Sequence, residues 1–258
     1  MSVVIGTNVP ALLAAHSLST NQSDLTQAMT RLASGKRINS AADDAGSVSL
    51  AANLLASVKG AAMAKQNANA AIAAVQVADS ALVEVESMLQ RIRELKVQSL
   101  STGTYSATDI TNMNSEITQL ASEIDDIAAN TKFNGTAVSG LALNPALRQD
   151  GTTAAMALPA FLSGAVASAS SVANVDSAIN SAAAARGSLG AFMNRLEAAV
   201  NNLSSIQANT AAAYSRVMDT DYAAESAAVA KGQVLQQAGA AMLAQANASN
   251  RYILTLLR

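Results

Sequence analysis

The chain has 258 residues, half of them hydrophobic but only 3% aromatic, with no Cys, no Trp and a formal net charge of −2. The lack of Cys excludes disulfides, zinc-thiolate sites and Cys nucleophiles. The lack of any basic tract beyond two or three residues argues against a nucleic-acid partner, because phosphate binding needs clustered Lys and Arg.

Much of the apolar content is Ala, which buries little area per residue. Such a chain favours long helices packed closely over a compact globule. Met1–Pro10 reads as irregular. No Lys or Arg precedes Arg31, so the N-terminus lacks the basic region of a secretory signal peptide. From Ala11 a helical pattern begins, with Leu18, Leu25 and Leu32 seven residues apart on one stripe. Its first acidic or basic side chain is Asp24, and a helix so poor in charge is marginal alone.

The stretch Arg31–Asn53 breaks this pattern and restarts it. Gly35 is a natural helix C-terminus, since it takes φ > 0 without a Cβ clash. Lys36 and Arg37 sit where cations suit the negative end of a helix. Ser40-Ala-Ala-Asp43 reads as a capping box for a second helix, with Asp43 and Asp44 in its first turn. Taken locally, this is an interhelical turn.

The second helix is expected from about Ala41 to Leu100. Leu50, Leu54 and Val58 share one face early on. A heptad follows, with Val75, Leu82 and Leu89 at one position and Ala78, Val85 and Ile92 at the other. Gln90–Ser99 is the most charged segment and reads as a solvated face with pairs such as Arg91–Glu94. Thr102-Gly103-Thr104 is a turn, and Ser106-Ala-Thr-Asp109 is a second capping box. Ile110, Met113, Ile117, Leu120, Ile124 and Ile127 then alternate steps of three and four, a seam that packs on another helix.

Asn134-Gly135 marks a turn. Gly135–Ser170, with Pro145 and Pro159, is the least helical region. Gln149-Asp-Gly-Thr152 looks like a β-hairpin tip, because Asp-Gly suits a type I′ turn. From Val172 the heptad returns through Val175, Ile179, Ala182, Arg186, Leu189, Met193, Leu196, Val200 and Leu203. Arg186 beside Gly187 and Gly190 reads as a snorkelling side chain near a helix join. Met218–Asp221 interrupts the pattern and offers Asp or Thr as an N-cap. A last helix runs from Tyr222 towards Leu256, with no charge between Lys231 and Arg251.

The expected fold is mainly all-α: long antiparallel, coiled-coil-like helices, a small β-hairpin tip, and the two end helices paired. The expected domains are 1–40 for an N-terminal helix and the start of the joint, 41–218 for a rod with its tip at about 134–171, and 219–258 for the C-terminal helix. The chain offers no catalytic, metal or cofactor constellation. His16 is the sole histidine and reads as a packing or interfacial residue. Asp43-Asp44 and Asp125-Asp126 are adjacent pairs, which do not face each other on a helix. No phosphate loop, G-x-S-x-G or H-E-x-x-H is present. An enzyme is not expected. The uncharged stretches Gly151–Val175 and Gly232–Asn250 are too polar for a membrane span. Neither end helix has enough partner within one chain, so other copies are the expected partners. A head-to-tail contact that does not close produces a helical filament.

Four segments carry a family resemblance. Leu32 to Ser40 (LASGKRINS), followed by Asp43-Asp44-Ala-Gly46, resembles the N-terminal signature of bacterial flagellins. Gln90–Gln98 (QRIRELKVQ) is similar to a second flagellin motif, and departs from it at Lys96, where Ala is usual. Lys132-Phe-Asn-Gly135 is similar to the segment that opens the family's central region. Tyr222–Arg251, with Gln236-Gln237-Ala-Gly and Ala244-Gln-Ala-Asn247, resembles its terminal helix. The segments appear in the family's order and span most of the chain.

The resemblance implies a self-assembling subunit of the flagellar filament, in a short form without large outer domains. It implies that the end helices form an inner domain around a central channel, outside which lies the rod. It implies export through the flagellum's own type III apparatus without a cleaved signal peptide, and an extracellular place in the filament. The implied partners are further copies of the chain, other flagellins, hook-junction and cap proteins and an export chaperone, with no cofactor, nucleic acid or membrane span.

Expected subunit-interface residues on the N-terminal side are Leu18, Leu25 and Leu32, then Lys36, Arg37, Ile38, Asn39, Asp43 and Asp44 at the joint. On the C-terminal helix they are Leu235, Gln237, Leu243 and Asn247. Gln90, Arg91, Leu95 and Glu116 are further interface positions, and by motif match they are also where relatives touch an animal innate immune receptor. Two other readings stand beside this one: a hook–filament junction adapter, and a secreted coiled-coil effector or adhesin.

Overall fold

A computed structural model of the chain describes residues 7–160 and 171–256, with side chains as far as residue 249. The sequence reading of residues 1–6, and of the stretch 161–170 within the tip, lies outside the described residues. The described chain runs α1 (Val9–Ser34), α2 (Ala45–Ser99), α3 (Ala107–Asn130), β1 (Lys132–Phe133), β2 (Thr136–Ala137), β3 (Ala142–Leu143), β4 (Met156–Ala157), α4 (Val172–Met218) and α5 (Tyr222–Leu256). It is mainly all-α, as the heptads require. It divides into two units, Met1–Leu55 with Ala211–Arg258, and Ala56–Thr210.

Most helix ends follow from local chemistry. Gly35 adopts φ 70° and its N–H bonds to the Arg31 carbonyl, ending α1. Ser106 and Asp109 form the expected reciprocal capping box of α3. Asp221 caps α5, accepting from the Ala223 and Ala224 N–H groups at 2.9 and 3.2 Å. Two ends differ from the sequence reading. Pro10 lies inside the first turn of α1, with Asn8 as N-cap, rather than in irregular chain. A first-turn proline sacrifices no intrahelical bond, because that N–H has no partner in any case. Ser40 and Asp43 do not cap α2. Asp44 does, accepting from the Ser47 N–H at 3.1 Å, while residues 41–43 form a separate turn.

The unit Ala56–Thr210 is organised around the heptad residues of α2. Val75, Ala78, Leu82, Val85, Leu89 and Ile92 are all fully buried. One cluster joins Val85, Leu89, Ile92 and Leu95 to Ile117 and Ile124 of α3 and to Val175, Ala178 and Ala182 of α4. A second joins Val75 and Leu82 to Leu189 and Leu196 and to Val138, Met156 and Leu158 near the strands. Farther along, Ala61 and Ala64 pack on Leu203. Pairing of low-numbered α2 residues with high-numbered α4 residues makes the two helices antiparallel. By length and composition α2 is apolar enough to cross a membrane; its apolar stripe is the one buried against α3 and α4.

Arg186 does not mark a helix join, since α4 runs unbroken from Val172 to Met218. Its guanidinium donates to Asp79 at 3.1 Å and to Glu86 at 2.7 Å, bridging α4 to two turns of α2. Both carboxylates hold it charged, so its pKa is raised. The seam tolerates it because an arginine stem is aliphatic and the charged head is part-exposed and paired with two carboxylates.

The β structure also differs. β1 and β2 form a tight hairpin, Phe133 opposite Thr136, around Asn134 and Gly135. Both take positive φ, 49° and 80°, which fits a type I′ turn. The Asp150-Gly151 segment instead closes a longer hairpin, in which β3 pairs antiparallel with β4 and Ala146 bridges Thr153. There only Gly151 has positive φ, the Gly151 N–H returns to the Arg148 carbonyl, and the Asp150 carboxylate accepts from the Thr152 N–H at 2.9 Å. Asp150 therefore serves through its side chain, as an Asx-type turn, not as the first residue of a I′ turn.

Candidate functional site

In the unit Met1–Leu55 with Ala211–Arg258, α1 and α5 run antiparallel along each other. Two contacts set their register. A Cβ placed on Gly232 would lie 3.1 Å from Leu25 Cδ1, and one on Gly239 would lie 3.2 Å from Leu18 Cδ1. Leu18 and Leu25 are thus knobs resting on two glycines with the same seven-residue spacing. Polar groups repeat the register. The Asn21 amide donates to the Gly232 carbonyl at 2.9 Å, the Asn8 amide to the Ala246 carbonyl at 3.1 Å, and Gln236 to Gln22. Arg31 pairs with Glu225 at 3.1 Å.

This pairing covers only one side of each helix. Leu25 and Ala28 are the buried residues of α1. Leu12, Leu13, Val234 and Met242 remain more than 60% exposed, and Leu235 is 47% exposed. Pro10, Leu13, Leu18, Leu235, Gly239 and Met242 line one continuous apolar groove between the helices. Gln237 and Asn247 are exposed, whereas Leu18, Leu32 and Leu243 are half-buried. Asn247 also accepts from the Asn8 amide at 3.4 Å.

The joint between α1 and α2 does not stand alone. The break between α4 and α5 lies beside it, and the two are clasped as a short antiparallel pair. Lys36 bridges Asp219. The Arg37 N–H donates to the Met218 carbonyl at 2.6 Å and the Thr220 N–H to the Gly35 carbonyl at 3.1 Å. The Arg37 guanidinium donates to the Val217 carbonyl at 2.8 Å, so it caps the negative end of α4 rather than that of its own helix. The Tyr222 hydroxyl lies over Gly35, and Ile38 is buried at 3% exposure.

The two acidic residues of the joint are engaged within the chain. The Asp43 carboxylate accepts from the Ser40 N–H at 2.8 Å, the Asn39 N–H at 3.0 Å and the Gln27 amide at 2.9 Å. These bonds favour the ionised form, led by the Ser40 N–H, and lower its pKa to about 2. The Asp44 pKa is lowered as well, first by the Ser47 hydroxyl and then by the Ser47 N–H.

A depressed carboxylate stabilises the fold above its ordinary value of 3.8, and that stabilisation disappears as pH falls through about 2. Acid titration followed by carboxyl NMR is expected to place the Asp43 midpoint near 2. Asp43→Asn is expected to remove the Asp43 share of the acid-dependent loosening of residues 34–44 between pH 3.8 and about 2, leaving that of Asp44. An Asp43 midpoint at 3.8 would contradict the hydrogen-bond pattern.

The third expected group lies on α2 and α3. Arg91 pairs with Glu116 at 3.0 Å and with Glu94 at 3.4 Å, all three well exposed, and Gln90 is exposed beside them. Leu95 is 3% exposed and belongs to the core shared with Ile117 and Val175. Leu25, Ile38 and Leu95 therefore have their surface occupied inside the chain and offer little to a neighbour. Lys36, Arg37, Asn39, Gln90, Arg91, Glu116, Leu235, Gln237 and Asn247 are exposed.

Sequence reasoning missed the clasp with Asp219, the capping of α4 by Arg37, and the seats at Gly232 and Gly239. The glycine seats had a legible signal in their spacing, which equals that of Leu18 and Leu25. Among the described residues no group of His, Asp or Glu side chains is arranged to hold a metal ion. The two features of this unit are therefore an exposed apolar groove between α1 and α5 and a polar clasp between the two helix breaks.

The chain matches the family model of the bacterial flagellin N-terminal helical region over residues 5–138 and that of the C-terminal helical region over residues 172–257. It is 35% identical to a flagellin of Bacillus subtilis, over 98% of this chain and 99% of that one. It is 34% identical to the flagellar filament 33 kDa core protein of Treponema phagedenis, over 99% and 100%. The crystal structure of Bacillus cereus flagellin aligns with a TM-score of 0.43 and 29% identity, covering 58% of this chain and 94% of that chain. With both terminal regions matched and relatives aligned over nearly the full length, the chain belongs to the bacterial flagellin family.

Proposed function

We infer that this chain is a structural subunit that polymerises into the helical filament of a bacterial flagellum. The observation that carries the inference is the apolar surface left on α1 and α5 after they have paired. Leu12, Leu13, Val234 and Met242 face outwards on a pair that already has its intrachain partner. Exposed apolar surface gathered around an apolar groove marks an interaction site. Its natural cover is the same surface on further copies, in a contact that repeats without closing. The names of the relatives, flagellin and flagellar filament core protein, agree with this reading. The role is mechanical, with no reaction to catalyse.

The same reading includes an extracellular location and export by the flagellar secretion apparatus. It also includes hook-junction, cap and chaperone partners and other flagellins, on the strength of family membership. Leu18, Leu32, Leu235, Gln237, Leu243 and Asn247 are assigned to contacts between copies along the inner helices, and Lys36, Arg37 and Asn39 to contacts at the joint. Leu25, Ile38, Asp43 and Asp44 act on those contacts indirectly, by holding the helix pair and the joint in shape. Gln90, Arg91 and Glu116 form an exposed polar patch that is assigned to packing between rods, and recognition by an innate receptor would use the same patch. Leu95 supports that patch from beneath.

Deleting Tyr222–Arg258 removes α5 and with it half of the groove. The truncated chain is expected to stay soluble and monomeric under seeding conditions in which the full chain forms filaments, as read by electron microscopy. Long filaments of the truncated chain would overturn the assignment to the end helices.

A further inference from the structure

Asn134-Gly135 is the single Asn-Gly step in the sequence. Both residues are exposed, and they are the two central residues of the β1–β2 turn. Asn134, at φ 49°, is the only non-glycine residue with positive φ among those described. We propose that Asn134 is a self-modification site held shut by the fold: it deamidates while the β1–β2 hairpin is open and is protected while the hairpin is formed. The proposal rests on the turn alone and is independent of the filament reading.

The chemistry needs only water and base. The Gly135 backbone nitrogen loses its proton and attacks Asn134 Cγ. An N–Cγ bond forms, the Cγ–Nδ2 bond breaks, and ammonia leaves, giving a five-membered cyclic imide. Hydroxide then opens the imide at either carbonyl. Opening at Cγ yields Asp. Opening at the main-chain carbonyl yields isoaspartate, whose backbone runs through Cβ and Cγ. The net change is loss of NH3 and gain of H2O, with one new negative charge. Glycine at the following position removes the Cβ that would hinder this approach.

The fold opposes the first step. Ring closure requires the Gly135 nitrogen to swing until it nearly eclipses Asn134 Cβ. In a type I′ turn the Asn ψ is about +30°, so closure demands a rotation that carries the Gly135 amide out of the turn. That rotation breaks the pairing of Phe133 with Thr136 and of Lys132 with Ala137. The ladder is anchored on both sides. The Val138 N–H bonds to the Thr131 carbonyl at 3.0 Å, Val138 is fully buried, and Phe133 packs against the core of α2 and α4.

The product is incompatible with the hairpin. Isoaspartate lengthens the main chain by one carbon inside a two-residue turn, and loop length sets the register of a hairpin. A chain that dwells unfolded is thereby marked and loses the seats of Phe133 and Val138, whereas a chain that has folded is spared.

The test uses the full chain at mildly alkaline pH, in native buffer and in concentrated urea. Isoaspartate is followed by enzymatic methyl transfer from labelled S-adenosylmethionine and located by peptide mass spectrometry. Conversion at Asn134 is expected in urea, ahead of the Asn-Ser steps at Asn39, Asn114 and Asn180, and at least about tenfold slower in native buffer. Phe133→Ser, which loosens the ladder, is expected to raise the native rate towards the urea rate while the helical signal persists. Equal rates in the two solvents, no conversion in urea, or a native rate unmoved in a helical Phe133→Ser chain would each overturn the proposal.

Discussion

Gly232→Val is expected to abolish filament formation while leaving the Ala56–Thr210 unit folded. Gly232 is buried in α5, and a Cβ there already meets Leu25 Cδ1 at 3.1 Å and Leu25 Cβ at 3.4 Å. Two further methyl groups have no room without separating the helices. Overpacking of this kind costs about 1–3 kcal/mol. That is a large share of what holds α1 to α5, because Leu25 and Ala28 are the buried residues of α1. Separation also removes the Asn21–Gly232 bond and takes apart the groove that a neighbouring copy would meet.

Gly232→Ala separates this from a simple intolerance of change. Its single methyl asks Leu25 to give by a few tenths of an ångström, and the helix gains about 1 kcal/mol of propensity over glycine. The alanine chain is expected to assemble and to melt near the parent temperature. Electron microscopy after seeding and circular dichroism on heating read both outcomes. A valine chain that polymerises like the parent would show that Gly232 does not seat Leu25.

Leu196→Ala is expected to lower the stability of the Ala56–Thr210 unit by about 2–5 kcal/mol, the usual cost of a buried leucine-to-alanine change. Leu196 has no exposed surface and packs in the cluster with Val75, Leu82, Leu189 and Val138. The upper part of the range applies here, because that cluster also contains Ala71, Ala78, Ala81 and Ala128. An alanine has no rotamer with which to fill a void, so the cavity persists. Leu235→Ala is the contrast. Leu235 is 47% exposed, so its removal is expected to change monomer stability by no more than about 0.5 kcal/mol and to be felt in assembly. Urea midpoints of the two monomers, with filament yield for each, check the pair. A shift below about 1 kcal/mol for Leu196→Ala would mean that the core relaxes around the loss.

Much of this protein was determined by its sequence. The seams at Val75, Leu82 and Leu89, at Ile117 and Ile124, and at Leu189, Leu196 and Leu203 are buried as their spacing requires. The stop at Gly35 and the starts at Ser106 and Asp221 fall where their chemistry places them. Caps and seams are settled within three to seven residues of chain, so each can be read without knowing the rest. The family was legible for a related reason, since its motifs are continuous segments that keep their order.

Only the tertiary structure decided which groups those local signals would meet. Arg37 suits the end of its own helix by position, yet it caps Val217, 180 residues away. Asp43 and Asp44 read as one acidic pair, but the first closes a turn and the second caps α2. Arg186 reads as an intruder in an apolar seam until Asp79 and Glu86 are seen beside it. Asn134-Gly135 and Asp150-Gly151 carry similar turn signals, and only the strand pairing shows which of them makes the tight turn. Gly232 and Gly239 become seats only when α1 is laid against α5. For Arg37, Arg186, Gly232 and Gly239 the deciding partner is distant in sequence, at a separation set by how long antiparallel helices return past one another, which no short window of the chain contains. For Asp43, Asp44 and the two turns the partners lie close by, and the fold selects among competing local pairings.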